Sequence, residues 1–368
     1  MKLFFVAGEK SGDLHGGNLI RSIQSLDASS ICVGYGGDQM QMAGMKLLGH
    51  YREMAFMGVV PVLMNLGKIF SRMRECKTAI KNFRPDAVVL IDYGGFNMRL
   101  AAWLKKNNFR VYYYISPKVW AWNTSRANKL KETVDRMFCI LPFEKEFFQK
   151  FNWSVDYVGN PVLDAVKAYQ SNNTSYKSLE KESIALLPGS RRGELKRMIP
   201  LLAEVVEQRP ALKFTIAALS ELDQTLYDPL RHFRNVEWVY DDSYGVLSQA
   251  KAAVVTSGTA TLETGLFKVP QVVVYKATAL EYAIGSRLVS VPFISLVNLI
   301  AEKEVIRELL QSQATVESIL QELDQLIIES ARREQVLLGY ETVWQRLDTG
   351  SASQITAQLI AEDLSAQQ

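Results

Sequence analysis

The chain is poor in the residues that build metal and disulfide sites. Its 368 residues include three cysteines (Cys32, Cys76, Cys139) and three histidines (His15, His50, His232), all far apart. None falls into a C-x-x-C or H-x-x-x-H spacing, which argues against a zinc site or a disulfide framework and for reduced, cytosolic thiols. No metal and no cofactor is therefore expected. No run of eighteen apolar residues occurs, so no segment reads as a membrane span. The opening MKLFFVAG meets GEKSGD at once, too soon for a signal sequence, and reads as a buried strand. An excess of one charge is also missing. Forty-two Lys+Arg against 39 Asp+Glu leave +3, which speaks against a dedicated nucleic-acid partner.

What is present is an alternation. Short apolar, β-branched or aromatic runs bounded by Gly, Pro, Asp or Asn predict strands at 3–6, 31–34, 87–91, 111–115, 137–141 and 155–158. Helical patterns such as 14–24 and 98–106 lie between them. Continuous apolar strands separated by helices imply a parallel sheet covered on both faces. Residues 169–182, YQSNNTSYKSLEKE, are polar and read as a linker. Strands then resume at 184–187, 213–217, 236–239, 252–255 and 271–275, and the chain after Asn298 reads as helical to its end. The expectation is an α/β protein of two tandem Rossmann-like, doubly wound domains with a cleft between them. The first spans 1–168 and the second 183–345. A helical tail, 346–368, either packs on the first domain or exchanges between subunits.

Ligands of such folds sit beyond the carboxyl ends of the strands, so the loops there carry the search. AGEKSGDLHGGN at 7–18 offers a tight turn at Gly8 and Gly12, with Ser11 or Asp13 to cap the next helix, and reads as an anion site or an ordinary turn. GYGGD at 34–38 reads as a turn. In IDYGGFN, 91–97, Asp92 ends a strand and is a general-base candidate or a turn aspartate; burial beside Tyr93 and Phe96 would raise its pKa. SPKVWAWNTSR, 116–126, puts Trp120 and Trp122 in one loop, suited to a sugar or acyl chain or to the core.

In the second half, LLPGSRRGEL joins Gly189 and Ser190 at a helix start to the Arg191 guanidinium, a phosphate-binding combination. TSGTATLE repeats the theme with Ser257, Gly258, Thr259 and Ala260, and Glu263 one turn on can accept hydrogen bonds from a ribose diol. Two such helix starts suggest a diphosphate held between them. Separately, FMGVVPVLMNLGKIF at 56–70 is apolar on nearly every helical face, and 68–81 carries Lys68, Arg72, Arg74, Lys77 and Lys81 against Glu75. That pairing fits membrane-surface docking through Val60, Leu63, Met64, Lys68 and Arg72, or a buried helix with a solvated basic face.

GEKSGD, IDYGGFN, SPKVWAW, LPFEKEF, YVGNP, LLPGSRRGE and SGTATLE stand in this order between about residues 3 and 311. The set resembles the lipid-A-disaccharide synthases, a family of GT-B glycosyltransferases. The resemblance implies metal-independent, inverting transfer of 2,3-diacylglucosamine from UDP to 2,3-diacylglucosamine 1-phosphate at the inner face of the cytoplasmic membrane. The products would be the β(1→6) disaccharide 1-phosphate and UDP. It makes Asp92 the base for the acceptor 6-hydroxyl and Arg191 the group that neutralises the departing UDP. It gives Gly258, Thr259 and Ala260 to the diphosphate, Glu263 to the ribose, Asn298 and Gln311 to the nucleotide surroundings and Ser11 to the acceptor side. The chain departs from the family pattern at Gly94-Gly95, where Pro-Gly is common, and at Val297 and Ile306. Partners implied are the two acylated sugars and the membrane surface, with a homodimer as one option for the oligomeric state. The competing functions are a UDP-N-acetylglucosamine epimerase or hydrolase on the same fold, and a non-catalytic acyl-sugar-binding membrane protein.

Overall fold

A computed structural model describes residues 1–53, 66–173, 181–278, 282 and 291–366. It divides into two units, Met1–Pro161 with Thr349–Gln368 and Val162–Asp348. In the first, seven parallel strands, β1 (Lys2–Ala7), β2 (Ile31–Gly36), β3 (Lys46–His50), β4 (Ala87–Ile91), β5 (Val111–Tyr114), β6 (Arg136–Cys139) and β7 (Asp156–Tyr157), line up as β3-β2-β1-β4-β5-β6-β7. In the second, β8 (Ser183–Leu187), β9 (Phe214–Ala218), β10 (Val236–Tyr240), β11 (Ala250–Thr256), β12 (Gln271–Tyr275) and β13 (Arg307–Leu310) order as β10-β9-β8-β11-β12-β13. Each sheet is doubly wound. Its direction of growth reverses between β1 and β4, and again between β8 and β11. A reversal of this kind opens a crevice at the carboxyl ends of the two central strands.

The central strands carry continuous buried apolar runs because helices cover both faces. Along β1, Phe4 and Val6 join one buried cluster with Val88, Leu90 and Tyr113. Leu3, Phe5 and Ala7 join the other with Val89, Ile91, Tyr112 and Tyr114. The pleat sends alternate residues to opposite sides. Ala352, Ala357 and Ile360 of the last helix, Ala352–Ser365, belong to the second of these clusters. That helix lies along Lys10–Leu26 and its Asp363 accepts from Arg110 Nε at 2.7 Å and from the Tyr112 hydroxyl.

The structure corrects three expectations. β3 was not foreseen. The stretch after Asn298 is not wholly helical, since β13 pairs with β12 there. The helix Pro161–Asn172 takes in the first residues of the segment read as linker and belongs with the second unit; residues 174–180 lie outside the described set. Val60, Leu63 and Met64 also lie outside it. The helix Leu66–Phe83 buries Met73, Cys76 and Ile80. It leaves Lys68 and Phe70 exposed, and Arg72 is tied to Glu53 at 2.6 Å and Glu75 at 2.8 Å.

Candidate active site

The reversal point of the first sheet is built on strained backbone. Asp92 and Tyr93, directly after β4, have φ of +44° and +50°, and Ile115, directly after β5, has φ of +66°. Side chains other than glycine avoid this region, at about 1–3 kcal/mol each, and such residues gather at functional sites. The surroundings hold them there. Asp92 N–H donates to the Tyr114 carbonyl at 3.1 Å. Its own carbonyl accepts from the Tyr113 hydroxyl at 2.7 Å and from Asn97 Nδ2 at 2.9 Å. The same amide of Asn97 reaches the carbonyls of Ile91 and Val6, tying β4 to β1. The Tyr93 ring lies against Gly8, where a Cβ would come within 2.4 Å of it. The Asp92 N–H and carbonyl are thus both engaged, at the carboxyl end of β4. Burial pushes its pKa above the ordinary value, as the sequence suggests, while Lys118 and the Tyr93 N–H pull the other way.

The capping expectation for the first loop is overturned. The helix Lys10–Leu26 begins after Glu9 with no side-chain cap. Asp13 instead turns to the next helix, Asp38–Met42, and accepts from the N–H groups of Gly37, Gln39 and Met40 at 2.8, 3.1 and 3.0 Å. Ser11 is exposed on the first turn. Trp120 does not present a surface for a sugar: it is 6% exposed, edge-on to Phe143, with its indole N–H given to Glu144 at 3.0 Å. The Trp122 side chain is outside the described set. Glu144 is the residue the sequence reading did not single out within LPFEKEF. A buried glutamate two residues beyond a Pro at a helix start was its only signal.

At the reversal point of the second sheet the two helix starts differ. After β8, Gly189 has φ of +106°, open to glycine and costly for others. The helix Arg192–Glu207 follows, and Glu194 folds back on its start. Its Oε2 accepts from the Ser190 and Arg191 N–H groups at 3.0 and 3.2 Å. Of the two amides expected to face a phosphate, Gly189 and Ser190, that of Ser190 is therefore already bound by the chain's own carboxylate. The Arg191 guanidinium touches Glu194 Oε1 at 3.3 Å and is 66% exposed, a contact of little strength in water. After β11, the helix Thr259–Leu266 starts at Gly258 with no side-chain cap. Gly258 and Thr259 are exposed, and a Cβ on Gly258 would meet nothing within 4 Å. A helix start of this kind presents unpaired N–H groups and the positive end of the dipole to an anion. One turn inside, Glu263 is partly buried, accepts from the Tyr244 hydroxyl at 3.2 Å, and has its pKa raised by burial.

Three other residues serve the frame. Ser257 donates to the Ile294 carbonyl at 3.2 Å. Asn298 is buried and saturated: its oxygen accepts from Val305 and Ile306 N–H, and its nitrogen donates to the Ile306 carbonyl and Glu308. An amide with two acceptor and two donor positions filled has none left for a ligand. Gln311, at φ of +50°, pairs both ways with the Ala277 backbone, at 2.9 and 3.4 Å. The Asn298 amide thus holds the loops around the crevice and has no position left for a nucleotide, whereas Gln311 uses one donor and one acceptor position of its amide.

The family model of lipid-A-disaccharide synthetase matches residues 3–361. The chain is 35% identical to a lipid-A-disaccharide synthase of Geobacter metallireducens, with 99% of this chain and 97% of that protein aligned. It is 34% identical to one of Coxiella burnetii, with 97% of each covered. Among solved structures it is similar to the UDP-GlcNAc 2-epimerase of Neisseria meningitidis bound to UDP-GlcNAc, with a TM-score of 0.67, 14% identity, and 98% and 100% of the two chains covered. The glycotransferase of kitacinnamycin gives 0.63 at 13% identity, with 98% of each covered. At such identities the structural likeness speaks for the fold alone: two Rossmann-like domains of the GT-B kind.

Proposed function

The chain belongs to the lipid-A-disaccharide synthetase family, and from that premise we propose how its residues divide the work. The protein is a hexosyltransferase of lipid A biosynthesis that takes a UDP-sugar donor. The transferred group is 2,3-diacylglucosamine and the acceptor is 2,3-diacylglucosamine 1-phosphate. Asp92 accepts the proton of the acceptor 6-hydroxyl as its oxygen bonds to the anomeric carbon. The bond from that carbon to the diphosphate oxygen breaks with inversion and UDP departs. Arg191 and the amides of Gly258, Thr259 and Ala260 neutralise the charge gathering on the diphosphate. Glu263 takes the ribose hydroxyls, with Tyr244 holding one of its oxygens.

The observation that carries this reading is the Asp92 carboxyl, held on strained backbone with a raised pKa. A base poised nearer to neutrality is more effective than an ordinary carboxylate. The epimerase alternative rests on likeness in fold only, whereas the synthases match in sequence across the whole chain.

Docking is at the inner face of the cytoplasmic membrane, through 56–70 and the basic helix that follows. In support, no helix among the described residues is long and apolar enough to cross a membrane. Phe70 is 62% exposed beside Lys68. The deciding assay incubates the protein with acylated donor and acceptor and follows UDP and disaccharide together. Asp92→Asn should bind UDP normally and lose about 10²–10⁴ in turnover. Near-normal turnover would remove Asp92 from the mechanism, and UDP release without acceptor would favour a hydrolase.

A further inference from the structure

Glu144 lies on the helix Pro142–Gln149, outside the residues assigned above, and is 1% exposed. Its carboxylate is surrounded by donors only. Oε1 accepts from the Ser116 hydroxyl and from Trp120 Nε1 at 3.0 Å. Oε2 accepts from the N–H groups of Ile140 and Leu141 at 3.1 and 2.9 Å. Burying a carboxylate is costly unless its oxygens are satisfied, and here all the partners belong to two loops, after β5 and after β6.

The two side chains it grips, Ser116 and Trp120, bracket a short turn. In the middle of that turn, Pro117 packs beside Gly94, where a Cβ would stand 2.9 Å from the proline Cβ. Lys118 follows, and its charge reaches Asp92. The turn leaves β5 through Ile115, whose positive φ needs outside support. We propose that Glu144 is a positioning residue, clamping the Ser116–Trp120 turn so that Pro117 and Lys118 stay against the Asp92 loop. This rests on the reading of Asp92 as the base. Asp92 is faced by Lys118 from the clamped turn, by Tyr113 from β5 and by the Tyr93 N–H of its own loop, with Glu9 acting on Tyr93 from the β1 loop. Of these, Lys118 is the one positive charge named, and it opposes the effect of burial. Loosening the turn removes that opposition.

The test is the pH dependence of kcat in the full-length protein, with UDP affinity measured alongside. A glutamine at 144 must turn its NH2 toward one pair of donors. The Ser116 hydroxyl can rotate to accept from it, but the indole N–H of Trp120 cannot. Glu144→Gln should therefore lower kcat at least tenfold, move the acid limb of the profile to higher pH and leave UDP affinity unchanged. Trp120→Phe added to Glu144→Gln removes the opposed donor and should recover much of the loss. Lys118→Ala should move the acid limb in the same direction with Glu144 intact, and it stands as the test if the Glu144 variant does not fold. An unmoved acid limb in Lys118→Ala, or in a folded Glu144→Gln protein, overturns the proposal, as does a double variant no better than the single one. A fully active Asp92→Asn enzyme would instead sink the reading of the base itself.

Discussion

The two sheets follow one plan and put opposite chemistry at the same place. Where the first reverses, the loops after β1 and β4 carry carboxylates, Glu9 and Asp92, and the backbone at Asp92 is bent into the left-handed region. Where the second reverses, the corresponding loops after β8 and β11 present N–H groups and a guanidinium. Strain there falls on Gly189, which bears it easily, at one loop, and the other helix start is left uncapped. Architecture supplies the crevice in each unit; under the proposed function, the side chains at two turns decide whether it takes a proton or an anion.

The largest effect that would break this comparison is chemical. Arg191→Ala should fold normally, because the side chain is exposed, and lose about 10²–10³ in turnover, the usual scale for removing a group that stabilises developing charge. Unchanged kinetics would leave the second crevice with amides alone. Next, deleting 349–368 should lower the melting temperature of the first unit by removing a helix that fills its core, while UDP binding by the second unit, measured by calorimetry, persists. A loss of both would mean that the units do not divide the work.

A smaller effect sharpens the contrast between the two helix starts. Gly258 has extended backbone and free space around it, so Gly258→Asp should cap the open start, weaken UDP about tenfold or more and hold or raise the melting temperature. Glu194→Gln should do the reverse to the sealed start, lowering stability by about 1 kcal/mol without weakening UDP. The smallest concerns Asp92 and pH. Its folded pKa lies above the unfolded one, so the stability it contributes is present below the unfolded value and lost as pH rises through the folded value. Asp92→Asn should raise the melting temperature near neutral pH and do less in acid; a gain confined to acid would contradict the raised pKa.

Legibility in the sequence followed burial. Central strands such as β4 and β8 announce themselves because both faces are covered and their buried positions are apolar without a break. β3, KLLGH, and β13, RELL, escaped because each is an edge strand with exposed positions, so neither makes an unbroken apolar run. The position of Asp92 was legible for the same reason: it directly follows the most apolar strand of the first half. Its strained φ was not, since Tyr113, Asn97 and Tyr114 impose it from elsewhere in the fold. Asp13 and Glu194 misled in opposite ways. One aspartate passes over its own helix to cap another, and one glutamate fills amides that looked free. Asn298 and Trp120 look like ligand contacts in sequence and become frame only once Ile306, Glu308 and Glu144 are seen around them.

The first unit is not a continuous stretch of chain, for its last helix comes from residues 349–368, beyond the second unit. On the ribosome, residues 1–161 emerge early, yet the helix that packs with Leu19, Ile23 and one face of β1 is translated only after the whole second unit. The first unit therefore waits, with apolar surface uncovered, until the whole of the second has been made. Order of synthesis and order of completion run in opposite directions, and a premature stop anywhere in the second half leaves the first one unfinished.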